Sequence, residues 1–319
     1  MAIGELSGYQ MGQATRDAFG EALADLGDEF PNVVTVDGDV GNSTRTEPFA
    51  EKYPERGFNV GIAESNMVSV AGGLAGTGKI PVVASFACFL LNNAFDQIRM
   101  SVAFPEQNVK LVGSHAGISI GEDGPSQMGI EDVSLACSLP NVSVMVPADG
   151  VSAKKATRAM VGHQGPTYLR LGRPKVPALY DESVHFQIGK AITLKDGSDA
   201  TIIANGIMVS IAADAAKMLE DEGVNTRVID MHTVKPVDRA AVVAAAKETG
   251  CIIVAEEHLH HGGLGAAVAQ VVSEEHPVPM GYVNVGDCYA ESGDPMGLLE
   301  KYGLTAENIV STVKAVKSR

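Results

Sequence analysis

The sequence Gly61-Ile62-Ala63-Glu64-Ser65-Asn66-Met67 separates two segments of different conformational preference. Residues 58–60 favour a strand, whereas residues 67–75 are apolar and small and favour a buried helix. Glu64 is therefore predicted at a strand-to-helix junction, where the helix dipole favours a carboxylate. Its neighbours are apolar on both sides, and an unpaired buried acid is costly. We expect Glu64 either to charge a helix start or to hold a basic partner such as a ligand nitrogen.

Strand-like and helix-like segments alternate on either side of this junction. The strands are short apolar runs, whereas the helices carry apolar residues at helical spacing. Such alternation predicts an α/β fold with a mostly parallel sheet covered by helices on both faces. The predicted strands of the first half are residues 33–37, 58–60, 81–86, 109–113, 142–147 and 167–171, and its helices include residues 10–27, 92–102, 130–137 and 152–161.

Several chemically useful side chains lie at or just after the ends of these predicted strands. They are Asp39, Glu64, Phe86 and His115. Ligands of parallel sheets bind at the carboxyl ends of the strands. We therefore expect these four side chains to converge on one site.

Residues 172–188 contain two prolines and little periodicity, which is typical of a linker. We predict a first domain over residues 1–175, a linker over residues 176–188 and a second α/β domain over residues 189–319. In the second domain, predicted strands at 200–204, 226–230 and 251–255 alternate with predicted helices at 210–222, 239–249, 263–273 and 307–317.

The composition is that of an ordinary globular protein with an acidic surface. Of its 319 residues, 45% are hydrophobic and 20% are charged, and the net charge is -15. A negative field of this size argues against general binding of nucleic acid or of anionic membranes. Any phosphorylated ligand must therefore be bound by local arginines.

The cysteines and the hydropathy pattern favour a cytoplasmic protein. Cys88, Cys137, Cys251 and Cys288 form no CxxC pair, and we expect them to be reduced, buried thiols. The N-terminal sequence has no basic stretch followed by an apolar one, so it does not predict a signal peptide. No apolar run approaches the roughly 20 residues that a membrane-spanning helix requires.

Residues 61–69, together with Ser85-Phe86-Ala87-Cys88-Phe89 and residues 94–100, resemble the pyrimidine-binding domain of transketolase. Residues 113–115 and 121–128 resemble the same family. The likeness extends from residue 14 to the C-terminus but covers only the second half of a full-length transketolase. The chain thus resembles the C-terminal subunit of a split, two-chain transketolase, which transfers a two-carbon ketol unit from a ketose phosphate to an aldose phosphate.

The sequence is compatible with three alternatives. The β-subunit of a 2-oxo acid dehydrogenase and a fragment of deoxyxylulose-phosphate synthase share the architecture. A regulatory subunit without catalysis belongs to a different class. The histidine and arginine residues discussed next favour sugar chemistry, and the joint presence of Glu64, Phe86, His115 and Asp123 favours an enzyme.

The resemblance implies a cofactor, thiamine diphosphate, and three kinds of contact with it. Glu64 would bond the aminopyrimidine ring and activate the cofactor, which does the remaining chemistry. Phe86 and Phe89 would form an aromatic wall for the ring, although on sequence alone core packing is the simpler interpretation. Asp39 would approach the cofactor, although an Asp in a loop often serves only the turn.

The resemblance also implies a set of substrate ligands. His115 and Asp123 would bind hydroxyls of the donor sugar, His115 also acting in catalysis, and Gln127 stands where some transketolases have a second histidine. Ser43 would bind the sugar phosphate. Arg16 and Arg173 are the candidate phosphate ligands because guanidinium groups match phosphate oxygens; Arg170 is predicted to be structural.

The resemblance places the diphosphate and Mg²⁺ on another chain. Residues 37–39, Asp-Gly-Asp, resemble the start of the thiamine diphosphate-and-metal motif, but the order is wrong and no pair of asparagines follows at the required distance. We therefore predict no metal ligand here and an N-terminal partner subunit that holds Mg²⁺ and diphosphate in an α₂β₂ assembly. His258, His260 and His261 have weak spacing for a metal and are predicted to be exposed or at an interface.

Overall fold

A computed structural model of the chain describes residues 3–318; residues 1, 2 and 319, which end the two predicted domains, lie outside this range. Two helix-covered sheets and a short two-stranded ribbon make up the described part. The predicted α/β class with two sheet units is thereby confirmed. The domain boundaries themselves stay a prediction.

The larger sheet has seven strands within residues 3–318, and its neighbours are parallel except at one edge. Its strands are apolar and almost fully buried, as expected for a sheet covered on both faces. From edge to edge the strands are β12 (Thr233–Lys235), β6 (Ser143–Met145), β7 (Thr167–Arg170), β5 (Lys110–Ser114), β4 (Ile80–Phe86), β2 (Val33–Asp37) and β3 (Gly57–Asn59).

Helices cover both faces of this sheet. On one face α1 (Thr15–Glu29) packs against α8 (Gly150–Gly162) over a core that includes Phe19 and Leu23. Residues of α4 and α5 contribute to the core of the other face. The remaining helices of this region are α2 (Gly41–Thr44), α3 (Glu47–Lys52), α4 (Glu64–Gly76), α5 (Ala87–Asn93), α6 (Phe95–Ile98) and α7 (Asp132–Ser138).

The smaller sheet belongs to the second half of the chain and is parallel except for its strand β9. Its strands, in sheet order, are β14 (Met280–Val283), β13 (Ile252–Ala255), β10 (Ala200–Ala204), β11 (Thr226–Asp230) and β9 (Ile192–Lys195). Its helices are α9 (Met208–Asp221), α10 (Arg239–Thr249), α11 (Leu264–Glu275), α12 (Pro295–Lys301) and α13 (Ala306–Lys317).

Two predicted helices differ from the structure. The helix expected from residue 10 begins at Thr15, because β1 (Met11–Ala14) pairs antiparallel with β8 (Lys175–Pro177) and this pairing outweighs the local periodicity. The helix expected over residues 92–102 is divided into the end of α5, the short α6 and a π-helical turn. Two asparagines end α5, and their side chains bond to glutamates elsewhere in the fold.

The two halves of the chain interlock. Strand β12 comes from the second half yet pairs with β6 at the edge of the first sheet. Conversely, Ile118, Ile120, Met128 and Ile130 of the first half are buried in the apolar core of the second. Each half therefore completes the other. Among residues 3–318 there is no helix that combines the length and the apolar character needed to cross a membrane.

Candidate active site

The carboxyl ends of the central strands are aligned by their pairing register. Asp37 lies opposite Asn59 and Ala84, and Phe86 lies opposite Ser114. Side chains that follow β2, β3, β4, β5 and β7 therefore emerge at the same edge of the sheet. The predicted site residues found at this edge are Asp39, Glu64, Phe86, His115 and Arg173.

His115 is the most enclosed of these side chains, with 3% of its surface exposed. Arg16 Nη1 lies 2.7 Å from His115 Nε2, and Ser114 Oγ lies 2.7 Å from Nδ1. Because a guanidinium can only donate, Nε2 must be the unprotonated nitrogen. Nδ1 therefore carries the proton and donates a hydrogen bond to Ser114 Oγ. These two contacts fix the tautomer of the ring.

The surroundings of His115 keep the ring neutral. Burial lowers the pKa of the His115 imidazole to about 3, and the positive charges of Arg16, Arg173 and Arg45 act in the same direction. At neutral pH the lone pair of Nε2 accepts the hydrogen bond from Arg16, and it becomes free for another donor only when Arg16 moves away. His115 is thus built as a hydrogen-bond acceptor.

An aromatic stack begins at His115. The Phe86 ring lies 3.9 Å from the imidazole with an angle of 16° between the planes, and Phe89 lies 5.8 Å from Phe86 at 10°. Phe86 ends β4 and Phe89 is in the first turn of α5, so one strand-to-helix junction positions both rings. Both rings are half-buried, which leaves surface for a flat ligand.

Glu64 is the first residue of α4 and is 9% exposed. Its carboxylate accepts hydrogen bonds from Ser85 Oγ at 3.4 Å and from Asn93 Nδ2 at 3.5 Å. Both distances are long for such bonds. Ser85 precedes Phe86, and Asn93 ends α5, so Glu64 lies beside the aromatic stack. The acid is buried and keeps unused acceptor capacity, which fits a donor on a ligand ring.

Arg16 connects His115 to the turn at Ser43, whose carbonyl oxygen accepts a hydrogen bond from Arg16 Nη1 at 3.2 Å. The Arg16 Nε atom is buried, has no hydrogen-bond partner among residues 3–318, and lies 3.8 Å from Asp17 Oδ1. A third arginine, Arg45, donates from Nε to the same Asp17 oxygen at 2.6 Å. Burial and the charge of Arg45 lower the pKa of Arg16.

Sequence reasoning missed Arg45. It lies only two residues beyond Ser43, and that position in the loop was the available signal. Its backbone has φ 68°, and Gly20 of α1 makes room for it, because a Cβ at Gly20 would collide with Arg45. The arginine is therefore held in place by α1.

Arg173 and Asp123 meet at the open side of the site. Arg173 Nη1 donates to Asp123 Oδ1 at 3.3 Å and to the carbonyl of Ile120 at 3.1 Å. The Arg173 side chain is 38% exposed, and Glu122 lies 3.9 Å away. An ion pair this exposed contributes little to stability, so both groups can rearrange around a ligand.

Gln127 and Asp39 are placed differently from this group. The carbonyl of Gln127 accepts a hydrogen bond from Cys88 Sγ at 3.1 Å, which holds residue 127 against α5. Asp39 is exposed, has φ 66° and accepts a hydrogen bond from Asn59 Nδ2 at 3.1 Å. It lines a separate cleft with Asp37 and Phe58. Gln127 is thus connected to the site through its backbone carbonyl. Asp39 lies at the same edge of the sheet but lines the separate cleft.

Asp37 has a local task. Its carboxylate accepts hydrogen bonds from Val40 N at 2.9 Å, Thr46 Oγ1 at 3.0 Å and Thr44 Oγ1 at 3.3 Å, and so organises the turn that follows β2. Within residues 3–318, no group of three or more His, Cys, Asp and Glu side chains is placed to hold a metal ion.

Two further predictions need correction. His258 is 1% exposed, because its ring is held between the Leu259 carbonyl and Ser134 N, whereas His260 and His261 are exposed as predicted. Of the four cysteines expected to be buried, Cys88 and Cys251 are buried, whereas Cys137 is half-buried and Cys288 is exposed. Arg170 is buried in an ion pair with Asp132 at 2.9 Å.

Comparison with known proteins identifies both halves of the chain. Residues 11–178 match the family model for the pyrimidine-binding domain of transketolase, and residues 189–309 match that for the transketolase C-terminal domain. A protein from Clostridium sp. (strain MSTE9), named 6-deoxy-6-sulfo-D-fructose transketolase subunit SqwH, is 39% identical over 95% of this chain and 94% of its own length. Human transketolase is 39% identical over 98% of this chain, but this covers only 50% of the human protein.

A solved structure gives the same result in three dimensions. It is described as a split gene transketolase in an inactive β₄ tetramer and is 46% identical in sequence to this chain. It superposes with a TM-score of 0.88 over 96% of this chain and 99% of that one.

Proposed function

This chain belongs to the transketolase family, and we propose that it is the pyrimidine-binding and C-terminal subunit of a two-chain, thiamine diphosphate-dependent transketolase. The proposed reaction transfers a two-carbon ketol unit from a ketose phosphate to an aldose phosphate. The observation that carries the proposal is the continuous contact from Arg16 through His115 to the Phe86–Phe89 stack, which joins anion ligands to a flat aromatic surface.

The residues present fit one part of the cofactor. Glu64 is buried and incompletely bonded, as a carboxylate that receives a ring nitrogen should be. The nearly parallel rings of Phe86 and Phe89 suit contact with an aminopyrimidine. When bound, thiamine diphosphate supplies the nucleophilic carbon that carries the two-carbon unit. Asp39 is proposed as a further, outer cofactor contact.

The sugar would be held by the other side chains of the site. Arg16 and Arg173 bind the phosphate, and the turn at Ser43 closes around it, since Arg16 already bonds this turn. His115, fixed as an acceptor at Nε2, takes a proton-bearing hydroxyl of the donor once Arg16 turns to the phosphate. Asp123 and Gln127 border the same space from the loop after His115. Phosphate binding and hydroxyl binding are thereby coupled through a single guanidinium.

A second subunit is part of the proposal. The turn after β2 employs Asp37 in local hydrogen bonds, which leaves the diphosphate and Mg²⁺ to an N-terminal transketolase subunit. Two relatives support this: one is named a subunit and has nearly the length of this chain, and the other is described as an inactive β₄ tetramer. We propose an α₂β₂ assembly of two copies of each chain, with the site between subunits.

The test is a reconstitution. The partner is identified by co-purification from the source, and calorimetry and a ketol-transfer assay are run on the pure chain with thiamine diphosphate and Mg²⁺, before and after the partner is added. We expect tight cofactor binding and transfer only after addition. Tight binding or transfer by this chain alone would refute the two-chain proposal. A sulfonated ketose is included beside the phosphorylated donor, because the Clostridium relative is named for such a sugar.

A further inference from the structure

The loop of residues 116–129, which we call the glycine-rich loop, carries Asp123 and Gln127 but has little regular structure of its own. Gly117, Gly121 and Gly124 have φ between 81° and 86°, a region that other residues rarely adopt. A loop with this many left-handed positions has many competing conformations. Its observed shape must therefore be imposed by its surroundings.

Those surroundings belong largely to the second half of the chain. Ile118, Ile120 and Met128 are at most 2% exposed, and all three are part of the apolar core of the second half. Gly124 packs against Ser292, and a Cβ at that glycine would collide with the Ser292 hydroxyl. The glycine-rich loop is thus folded onto the second domain and not only onto the sheet that precedes it.

Glu257 makes the polar contact at the centre of this packing. It follows β13 by two residues and is 5% exposed. Its Oε1 accepts a hydrogen bond from Ser119 N at 2.6 Å, and its carboxylate lies against Gly117, where a Cβ would collide with it. Burial raises the pKa of Glu257, whereas Arg170 and the Ser119 N–H act in the opposite direction. One carboxylate from the second domain therefore holds the loop at two neighbouring residues, Gly117 and Ser119.

A short chain of contacts leads from Glu257 to the candidate substrate ligands. Ser119 is the middle residue of the 3₁₀ turn Ile118–Ile120. The carbonyl that ends this turn, that of Ile120, accepts a hydrogen bond from Arg173 Nη1 at 3.1 Å, and the same nitrogen donates to Asp123 at 3.3 Å. A displacement of the turn would move both Arg173 and Asp123.

We propose that Glu257 is a positioning residue: from the second domain it holds the glycine-rich loop in the shape that presents Arg173 and Asp123 to the sugar. Its consequence for catalysis rests on the function proposed above, but its structural part does not. The proposal also gives the second domain a task, because this domain contributes core and carboxylate to the loop although none of the predicted site residues lies in it.

The adjacent residue offers a matched control. Glu256 is 2% exposed, and its carboxylate likewise accepts backbone hydrogen bonds, from Leu264 N at 2.7 Å and Gly265 N at 2.8 Å. Those two amides begin α11, so Glu256 acts within the second domain. Glu256 and Glu257 thus share residue type, burial and kind of contact, and differ in which part of the molecule they hold.

The experiment compares Glu257→Ala, Glu257→Gln and Glu256→Ala in the full-length chain by hydrogen exchange of the backbone amides. In Glu257→Ala we expect exchange of residues 117–128 to accelerate by roughly tenfold or more, the size of effect that a lost buried hydrogen bond gives. Glu257→Gln retains an acceptor for Ser119 N and should stay close to wild type. Glu256→Ala should accelerate exchange at the start of α11 and leave the loop unchanged. Equal loop exchange in the two alanine variants would overturn the proposal.

The second readout is kinetic and uses the assembled enzyme. Glu257→Ala should raise KM for a ketose phosphate by roughly ten- to a hundredfold, as misplacement of ligands does, while hydrogen exchange at the cofactor C2 atom keeps its wild-type rate, because Glu64 is held by other elements. A loop that exchanges faster with an unchanged KM would refute the link to substrate binding. If the wild-type assembly showed no ketol transfer, the proposed function would be refuted. The amide exchange of residues 117–128 would then be the measurement that decides whether Glu257 holds the loop.

Discussion

The two ends of the candidate site differ in how closely their central ionisable side chains, His115 and Glu64, are bonded. At the arginine end, both nitrogens of His115 have partners at 2.7 Å. At the aromatic end, the Glu64 carboxylate has partners only at 3.4 and 3.5 Å, although it is almost as buried as His115. Buried acids are normally well bonded, so a poorly bonded one indicates a place for a missing donor.

This difference indicates how the work of the site is divided. The arginine end is built by α1, the turn after β2 and the loops after β5 and β7, although the buried Nε of Arg16 keeps a free donor among residues 3–318. The aromatic end supplies one acid and a flat surface, which suit the aminopyrimidine ring of the proposed cofactor. An enzyme of this kind would recognise its sugar through one subunit and complete its cofactor site through the other.

The largest effect is expected from removal of the acid at the aromatic end. In the assembled enzyme, Glu64→Gln should lower the rate of hydrogen exchange at the cofactor C2 atom by roughly 10²- to 10⁴-fold, the usual contribution of a positioned acid or base. The measurement is NMR-detected loss of the C2 proton in deuterated buffer.

The control for this substitution is Glu307→Gln. Glu307 is also a glutamate in the first turn of a helix, α13, but it is exposed and lies in the second domain. In the Glu307→Gln enzyme, hydrogen exchange at the cofactor C2 atom should keep its wild-type rate. If exchange at C2 in Glu64→Gln kept its wild-type rate, Glu64 would have no role in activating the cofactor and would serve only as a favourable charge at the start of α4.

A smaller effect is expected at the arginine end. Arg16→Ala should raise KM for a ketose phosphate more than tenfold, because a charge-assisted hydrogen bond contributes about 1.5–3 kcal/mol. Arg173→Ala should raise it less, since its side chain is 38% exposed compared with 15% for Arg16. Steady-state kinetics with phosphorylated and non-phosphorylated donors make the measurement.

The donor without a phosphate should respond weakly to either substitution. Arg158→Ala serves as the control, because Arg158 is an exposed arginine of α8 whose guanidinium pairs only with Glu29 in the described part of the chain. Equal losses with both donors would contradict the assignment of Arg16 and Arg173 to the phosphate.

The last expected effect is on stability and not on kinetics: it is the dependence of the free energy of unfolding on pH that His115 causes. Its pKa is about 3 in the folded state, against an ordinary value of 6.5. Below pH 6.5 the unfolded chain binds a proton at this residue that the folded chain does not. The free energy of unfolding should therefore be highest above pH 6.5 and fall towards pH 3, by at most about 1.4 kcal/mol per pH unit from this residue.

Urea unfolding between pH 7 and pH 4 can isolate this contribution. His115→Gln removes the titrating group and leaves a side chain that can still accept from Arg16, so its stability should fall less steeply with acid. His232, whose pKa burial lowers to about 4, is present in both proteins and cancels in the comparison. Parallel curves for the two proteins would show that His115 is not kept neutral by its surroundings.

The α/β architecture could be predicted from the sequence, and Glu64 and His115 lie at the strand ends where the sequence placed them. Glu64 and His115 stand in motifs where residue type and strand ends agree, and local patterns report such positions well. Arg45 was missed because its importance comes from a left-handed backbone position and from the missing side chain of Gly20. Glu257 was missed because its partners, Gly117 and Ser119, are 140 and 138 residues away in sequence, and only tertiary packing brings them together.

Strand β12 has a consequence for how the protein is made. During synthesis, residues 33–170 can pair their own strands as they leave the ribosome, but the outer edge of β6 stays open until residues 233–235 have emerged. An unpaired strand edge is a template for wrong partners, and long-range pairing forms late. Nascent chains that stop between residues 171 and 232 should therefore be the most prone to aggregate, and a chaperone that covers this edge would help most in that interval.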